Sequence, residues 1–177
     1  AGIMELMLSW LAPFMKRRLS MFGLIVMICV ILTALLAPLI APYDPLAIDP
    51  IGRLQEPNWQ HWLGTDHFGR DTLSRVIYGA RLALLIGTGV VTFAMATGVP
   101  IGVLSALFPR WGNILMRMVD LMMAFPALLL AMGLIVILGQ GVTNAILAIG
   151  VVYLTTTARI TYSVTLRLKA ETFVEAG

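Results

Sequence analysis

The sequence predicts an all-α integral membrane protein with about four transmembrane helices. Of its 177 residues, 59% are hydrophobic and only 12% are charged, whereas soluble domains carry about 25% charged residues. Three long runs also lack Asp, Glu, Lys and Arg, and about 20 apolar residues in a helix are enough to cross the hydrocarbon core of a bilayer. These observations exclude a water-soluble domain and a disordered chain.

Charge and cysteine content exclude two further classes. Cys29 is the only cysteine, so the chain cannot form an intramolecular disulfide. The net charge is +3, but the basic residues stand in short groups between apolar runs, without the aromatic-interleaved basic stripe of a nucleic-acid-binding surface. We therefore expect a lipid bilayer as a partner and no nucleic acid.

The uncharged runs predict the number and position of the spans. They cover residues 19–43, 82–109 and 121–158. The first two each accommodate one helix. The third is long enough for two, and Gly139-Gln140-Gly141 near its middle is a helix-ending signal. The predicted spans are approximately 20–41, 82–107, 117–138 and 142–161.

The first span has some features of a secretory signal peptide. Lys16-Arg17-Arg18 precede it, and the small residues Ala37 and Ala41 lie near its end. However, the apolar region of a signal peptide is only about 7–15 residues long. The longer run here favours an uncleaved membrane anchor.

The basic residues outside the spans predict the orientation. With a cytoplasmic N-terminus, the inner segments hold Lys16, Arg17, Arg18, Arg110, Arg117, Arg159, Arg167 and Lys169, and the outer loop holds Arg53, Arg70, Arg75 and Arg81. Cytoplasmic loops are enriched in Lys and Arg. We therefore predict a cytoplasmic segment 1–19, a membrane domain 20–161 with an extracytoplasmic loop 42–81, and a cytoplasmic segment 162–177.

Small residues in the second span predict a packing surface. Ala94, Gly98, Gly102 and Ala106 recur at every fourth position. Helices in lipid approach closely where such residues share a face, so we expect another helix, from this chain or a partner, to lie against this ridge.

Two prolines and one acid interrupt the apolar pattern. Pro100 and Pro126 each remove a backbone donor, which predicts kinks; they are either ordinary features of membrane helices or shape a passage. Asp120 lies three residues after Arg117, a spacing that predicts a helical ion pair. This interpretation is favoured over a proton relay.

The sequence lacks the motifs of several catalytic classes. Neither lysine, Lys16 nor Lys169, follows a glycine, so there is no phosphate-binding loop of the G-x-x-x-x-G-K type. The predicted spans contain no histidine and one acid, which disfavours an intramembrane protease. His61 and His67 lack a third ligand of a common metal set, so we interpret them as exposed loop residues. We expect no catalytic residue, no metal and no enzyme activity in this chain.

The outer loop carries a dense motif before the second span. Its residues are Gly64, Thr65, Asp66, Gly69, Arg70, Asp71, Ser74 and Arg75. Glycines permit backbone conformations that other residues resist, and Asp66 and Asp71 can accept amide bonds at a turn or a helix start. Arg70 can bridge such carboxylates. From Asp71 onward the chain is predicted to run as a helix into the second span.

Three motifs resemble the inner-membrane permease subunits of ABC importers for dipeptides, oligopeptides, glutathione and nickel, specifically the second, C-type permease. They are Leu63-Gly64-Thr65-Asp66-x-x-Gly69-Arg70-Asp71-x-x-Ser74-Arg75 with Gly79-Ala80-Arg81, Met116-Arg117-x-x-Asp120 with Phe125-Pro126, and Phe173-Val174-Glu175-Ala176. The resemblance extends from about residue 16 to the last residue. The loop motif is long and specific, whereas the Glu-Ala stretch alone is weak.

The resemblance implies a function and a set of partners. It implies a bacterial inner-membrane permease that forms half of a translocation pathway, most commonly for di- or oligopeptides. The partners would be a homologous second permease, two ATP-binding subunits and a periplasmic solute-binding protein. ATP and Mg would bind the ATPase subunits, and this chain would hold no cofactor. An alternative is a membrane scaffold or assembly subunit without a pathway of its own.

The resemblance also assigns roles to two groups of residues. Glu175, Ala176 and Gly177 would begin the coupling loop that docks into the ATPase, and Asp66, Arg70 and Asp71 would serve the outer gate or the contact with the binding protein. Gly177 departs from the family's alanine. The family continues through the rest of this loop and two further spans, so we expect this chain to be a fragment or a truncated product.

Overall fold

The computed structural model describes the backbone of residues 18–175 and the side chains of residues 19–170. The segment 1–17, Ala176 and Gly177 lie outside the described residues. Within the described range all regular secondary structure is helical; residues 41–71 form a long loop with one isolated bridge between Thr65 and Asp71, and there is no strand. The helices are α1 (Arg18–Leu35), α2 (Ala37–Ile40), α3 (Thr72–Leu107), α4 (Pro109–Met123), α5 (Ala127–Leu138) and α6 (Val142–Glu175). The predicted all-α class is confirmed.

Two of these helices are long enough to cross a membrane on their own. α3 has 36 residues and α6 has 34, which correspond to about 54 Å and about 51 Å at 1.5 Å per residue. Both exceed the roughly 30 Å of the hydrocarbon core. Pro100 lies inside α3, and the helix continues past it to Leu107.

The first predicted span consists of two helices. The 18-residue α1 ends at Leu35, and the four-residue α2 follows after Leu36. Pro38 lies in the first turn of α2, where its missing amide donor is tolerated, whereas inside a continuous helix it would remove a hydrogen bond to the preceding turn. The hydrophobic pattern predicted the position of this apolar segment, but it did not predict the helix break near Leu36.

The predicted third span, 117–138 with a kink at Pro126, consists of two helices with a sharp bend between them. α4 begins at Pro109 and ends at Met123, and α5 follows it with a bend of 96°. Pro126 is the N-cap residue of α5 and has an extended backbone, with ψ 128°. A proline has no amide proton to donate to the preceding helical turn, and the residue before a proline avoids the helical region. Both effects favour a helix break between α4 and α5. The 12 residues of α5 extend only about 18 Å.

The chain forms two compact units whose boundary lies within α3, between Leu84 and Leu85. The first unit includes α1, α2, the long loop and the start of α3. The second includes the rest of α3 and α4 to α6. The candidate sites lie within one unit or the other.

Within the second unit, α3 and α6 pack in parallel. Their contacts advance in the same direction along both helices: Gly89 with Ile146, Phe93 with Gly150, Gly98 with Leu154 and Gly102 with Ala158. Parallel packing is what four alternating spans require of the second and fourth. We call this contact the α3–α6 seam.

α4 packs back on the same pair of helices. Met116 and Val119 are buried against Ala158, with Ile101 and Tyr162 beside them. Gly112 lies so close to Ser105 that a side chain on Gly112 would overlap the Ser105 carbonyl. The glycine therefore lets the chain reverse tightly after Leu107.

Candidate functional site

Thr65 is the centre of the folded outer loop. Its hydroxyl donates to the carbonyl of Gly52 at 2.6 Å and accepts from the amide of Gln55 at 2.8 Å. The amide of Thr65 in turn donates to the carbonyl of Gln55 at 3.2 Å. Thr65 is buried, so these bonds join the motif to the preceding chain without competition from water.

Asp66 connects the turn to the following helix. Its Oδ1 accepts from the amides of Phe68 at 2.8 Å and Arg70 at 3.0 Å. Its Oδ2 accepts from Arg70 Nε at 2.9 Å and pairs with the guanidinium of Arg75. Desolvation raises the pKa of Asp66, but the two amides and the Arg70 guanidinium outweigh it and lower this pKa to about 2.

Asp71 caps the start of α3. Its Oδ2 accepts from the Ser74 amide at 2.8 Å, three residues on, and its Oδ1 lies 2.9 Å from His61 Nδ1. Ser74 is buried and accepts the amide of Tyr43 on its hydroxyl at 3.1 Å. Desolvation raises the pKa of Asp71, but the Ser74 amide and His61 lower it overall.

The two motif glycines allow the turns that bring these groups together. Gly64 has φ +69° and Gly69 has φ +76°, a region that residues with a Cβ rarely adopt. A Cβ on Gly69 would also overlap the Asp49 carbonyl, and one on Gly64 would overlap the Gln55 carbonyl. Both positions therefore require glycine for conformation and for space.

The structure thus brings the predicted loop residues into one folded unit, where Asp66, Arg70 and Asp71 bond within the loop. Their predicted roles in the gate or the binding-protein contact stay predictions. The interpretation of His61 as an exposed loop residue is wrong. Its side chain is 19% exposed, and its ring lies 4.9 Å from that of Tyr43. His61 also bonds to the carboxylate of Asp71. The sequence carries no signal for this His61–Asp71 bond, because only the folding of the loop brings the two residues together.

The outward surface of the loop is aromatic. Trp59 is 96% exposed and Trp62 is 69% exposed, and both line a shallow cavity with Pro57 and Asn58. Large exposed aromatic side chains of this kind favour contact with a protein or a lipid interface. Within the described part of the loop, Trp59 and Trp62 are therefore open to contact by a partner, whereas the carboxylates of Asp66 and Asp71 are bonded within the loop.

In the second unit, Asp120 pairs with a residue other than the predicted one. Its carboxylate contacts the guanidinium of Arg159 on α6, not Arg117. The packing of Val119 on Ala158 brings Arg159 within reach of Asp120. Spacing along one helix predicts only contacts within that helix, so it does not predict this contact between two helices. Among the described residues Arg117 forms no ion pair. Arg159 and Asp120 are each about half exposed.

The second unit also contains an apolar groove beside the α3–α6 seam. Its volume is about 390 Å³, and its walls come from Val90, Ala94 and Met95 of α3 and from Tyr153 and Thr157 of α6, among others. No charged side chain lines it. The predicted ridge residues Ala94, Gly98, Gly102 and Ala106 are all buried, and Gly98 and Gly102 lie directly on α6.

The predicted coupling residues, Glu175, Ala176 and Gly177, lie at or beyond the last residue that the structure describes. α6 continues to Glu175, whose side chain lies outside the described residues together with Ala176 and Gly177. Their role in coupling stays a prediction. Among the described residues, no group of three or more His, Cys, Asp or Glu side chains could hold a metal ion.

Two protein-family models match this chain, one in its N-terminal part and one in its C-terminal part. A family model for the N-terminal transmembrane domain of oligopeptide transport permease C matches residues 8–57, and one for the inner membrane component of binding-protein-dependent transport systems matches residues 98–177. The dipeptide transport system permease protein DppC of Alkalihalophilus pseudofirmus is 40% identical over 92% of this chain and 54% of its own length.

Two further relatives have similar names. The di/tripeptide transport system permease protein DppC of Pseudomonas aeruginosa is 41% identical over 84% of this chain and 51% of its own length. A putative peptide transport system permease protein of Brucella suis is 40% identical over 92% of this chain and 55% of its own length. The chain spans about half the length of the curated relatives it matches.

Proposed function

Because this chain belongs to the inner-membrane permease components of binding-protein-dependent transport systems, we propose that it is a subunit of an ATP-driven importer of di- and oligopeptides. It would form part of the pathway across the bacterial inner membrane. The names of its relatives, which are permeases of dipeptide and peptide systems, support the substrate class. A homologous second permease would complete the pathway.

Coupling to ATP hydrolysis would come through α6. This helix is continuous over 34 residues, about 51 Å, so it extends about 20 Å beyond a 30 Å hydrocarbon core. Residues 146–162 of this helix form the α3–α6 seam, and its last residue is Glu175. A displacement of the Glu175-Ala176-Gly177 segment by an ATP-binding subunit would therefore reach the seam along one helix. The continuity of α6 is the observation that carries this proposal.

The seam is suited to such movement. Gly98 and Gly102 bring the α3 backbone against Leu154 and Ala158 of α6, so no long interlocking side chains stand between the backbones there. Domain closures in proteins often use small shear displacements of packed helices. A change in the relative populations of two seam arrangements would produce alternating access.

A periplasmic binding protein would deliver the solute to the outer loop. The aromatic surface of Trp59 and Trp62 supports this contact, and Asp66, Arg70 and Asp71 would act by holding the loop in shape. The groove beside the seam offers no charge to select a solute. Solute selection would therefore belong chiefly to the binding protein.

The test uses the assembled transporter in proteoliposomes, with the permease variant Glu175→Ala. We expect loss of most solute-stimulated ATP hydrolysis, while Glu171→Ala, an acid four residues earlier on α6, serves as the matched control and retains it. A scaffold subunit predicts no loss in either variant. Ala176→Cys should also crosslink to the ATPase in a nucleotide-dependent manner, and stimulation retained in Glu175→Ala together with no such crosslink would overturn the coupling proposal.

A further inference from the structure

α4 presents three distinct faces. Gly112, Met116 and Val119 are buried within the unit. Polar side chains form a second sector: Arg110, Asn113, Arg117 and Asp120. Large apolar side chains form a third, and all are exposed: Trp111, Ile114, Met118 and Leu121. At 3.6 residues per turn these sets occupy separate sectors of one helix, so α4 has a polar stripe and, side by side with it, an apolar stripe that is exposed within the described part of the chain.

The level at which α4 contacts α6 indicates how deep α4 lies in the bilayer. Arg159, which pairs with Asp120, lies 17 residues after Val142, which is about 26 Å at 1.5 Å per residue. Ala158, on which Met116 and Val119 pack, lies at nearly the same level. The fourth span is predicted to enter the hydrocarbon core near Val142, and that core is about 30 Å thick. α4 therefore contacts α6 near the opposite edge of the core, at the side where α6 leaves the bilayer.

The direction of α4 differs from that of its neighbour. α5 is apolar on every face, with Leu128, Met132 and Val136 exposed, as is typical of a helix within hydrocarbon. α4 meets α5 at 96°. A helix perpendicular to a segment that enters the bilayer, and located at the edge of the hydrocarbon, runs along the membrane surface.

We propose that α4 is a membrane-surface helix that binds anionic phospholipid headgroups. Its apolar stripe would enter the boundary of the acyl chains, with Trp111 at the level where tryptophans concentrate in membranes. Arg110 and Arg117 form no ion pair among the described residues, and both project from the adjacent sector. Two cationic side chains beside an apolar stripe complement an anionic lipid surface rather than an apolar protein groove.

Depth measurements by spin labelling test the orientation. In a Cys29→Ala background, nitroxides are placed by Trp111→Cys, Ile114→Cys, Met118→Cys and Leu121→Cys. Asn113→Cys serves as a polar-face control and Leu128→Cys as a hydrocarbon reference. The permease is studied in nanodiscs containing phosphatidylglycerol, and collision rates with oxygen and with a water-soluble nickel complex give the depth of each label.

We expect the four apolar-face labels to share one shallow depth of about 5–10 Å, with Asn113→Cys in water and Leu128→Cys deeper. A depth that increases steadily from Trp111→Cys to Leu121→Cys, by about 1.5 Å per residue, would indicate a spanning helix and overturn the proposal. Apolar-face labels shielded from both reagents would indicate a protein partner on this face and would also overturn it.

A second measurement tests the headgroup contacts. Phosphatidylglycerol retained by the purified permease is quantified by native mass spectrometry for Arg110→Gln, Arg117→Gln and the double variant. We expect retention at this site to weaken roughly fivefold for each arginine removed. Arg53→Gln, a loop arginine outside α4, is the matched control and should retain the wild-type amount. Equal retention in all variants would contradict lipid binding by the arginines.

Discussion

Gly69 shows how a single residue determines the shape of the outer loop. Its φ of +76° lies in the left-handed region, and an added Cβ would overlap the carbonyl oxygen of Asp49. We expect Gly69→Ala to destabilise the loop by at least 1–2 kcal/mol, on the order of the strain of this conformation alone. Limited proteolysis of the purified protein would show faster cleavage within 42–71.

The control for this prediction is Gly79→Ala. Gly79 lies in α3 with no atom near an added Cβ, and alanine favours a helix by up to about 1 kcal/mol. Its loop should resist proteolysis as well as the wild-type loop. Equal cleavage rates in the two variants would refute the assigned role of Gly69.

Asp66 makes the loop sensitive to strong acid. Its folded pKa of about 2 lies below its ordinary value of 3.8, so its contribution to stability is complete above about pH 4 and is lost as the pH falls through about 2. The pKa of Asp71 is lowered as well, so it acts in the same direction. The emission of Trp59 and Trp62 should therefore be constant near neutral pH and change as the solution is acidified below about pH 4.

The variant Asp66→Asn shows how much of the acid sensitivity comes from Asp66 and how much from the other carboxylates of the loop. It loses the charged bonds to Arg70 and Arg75, so we expect a less stable loop at neutral pH and a smaller acid-dependent change in emission. Glu56→Gln, an exposed acid in the same loop, is the control. An unchanged acid transition in Asp66→Asn would show that other groups govern it.

At the scale of elements, the α3–α6 seam depends on the absence of side chains. A Cβ on Gly102 would lie 2.6 Å from the Ala158 carbonyl oxygen and 2.7 Å from Thr161 Cβ. We expect Gly102→Ala to cost about 1–3 kcal/mol, as overpacking of a core does. Unfolding in mixed detergent micelles measures the change. Gly133→Ala in α5, where nothing lies near an added Cβ, should have little effect or stabilise.

The Asp120–Arg159 pair joins α4 to α6, and a double-mutant cycle measures its strength. Both side chains are about half exposed, so the coupling energy should be modest, about 0.5–1 kcal/mol. Asp120→Asn and Arg159→Gln should each destabilise, and the double variant should cost less than their sum. Strict additivity would show that the two groups do not interact. Arg117→Gln should leave the coupling unchanged, because Asp120 does not pair with Arg117.

Hydrophobic patterns predicted elements well where one helix crosses the bilayer and poorly where a helix ends inside an apolar run. The run 82–109 became α3 over most of its length, with the helix beginning earlier, at Thr72. Pro126 predicts a kink in the third span, and the structure has a complete helix break there, between Met123 and Ala127, with a bend of 96°. A proline predicts that a donor is lost, but the angle that results depends on the packing of both halves.

At the scale of the whole molecule, the parallel course of α3 and α6 agrees with an alternating arrangement of spans. Single cysteines at Trp59→Cys and Glu175→Cys in the Cys29→Ala background test the predicted sides. An impermeant maleimide applied from outside should label Trp59→Cys and leave Glu175→Cys unlabelled until the membrane is opened. Labelling of both sites from one side would invalidate the predicted orientation.

The sequence by itself determined the all-α membrane class, the approximate positions of the apolar segments and the residues of the outer loop motif. These follow from composition and from short-range spacing, which hydrophobicity and backbone geometry dictate locally. Only the tertiary structure decided that Asp120 meets Arg159, that His61 joins Asp71 and that α4 turns away from α5. Such contacts join residues far apart in the chain, and their formation depends on which helices pack together rather than on any local pattern.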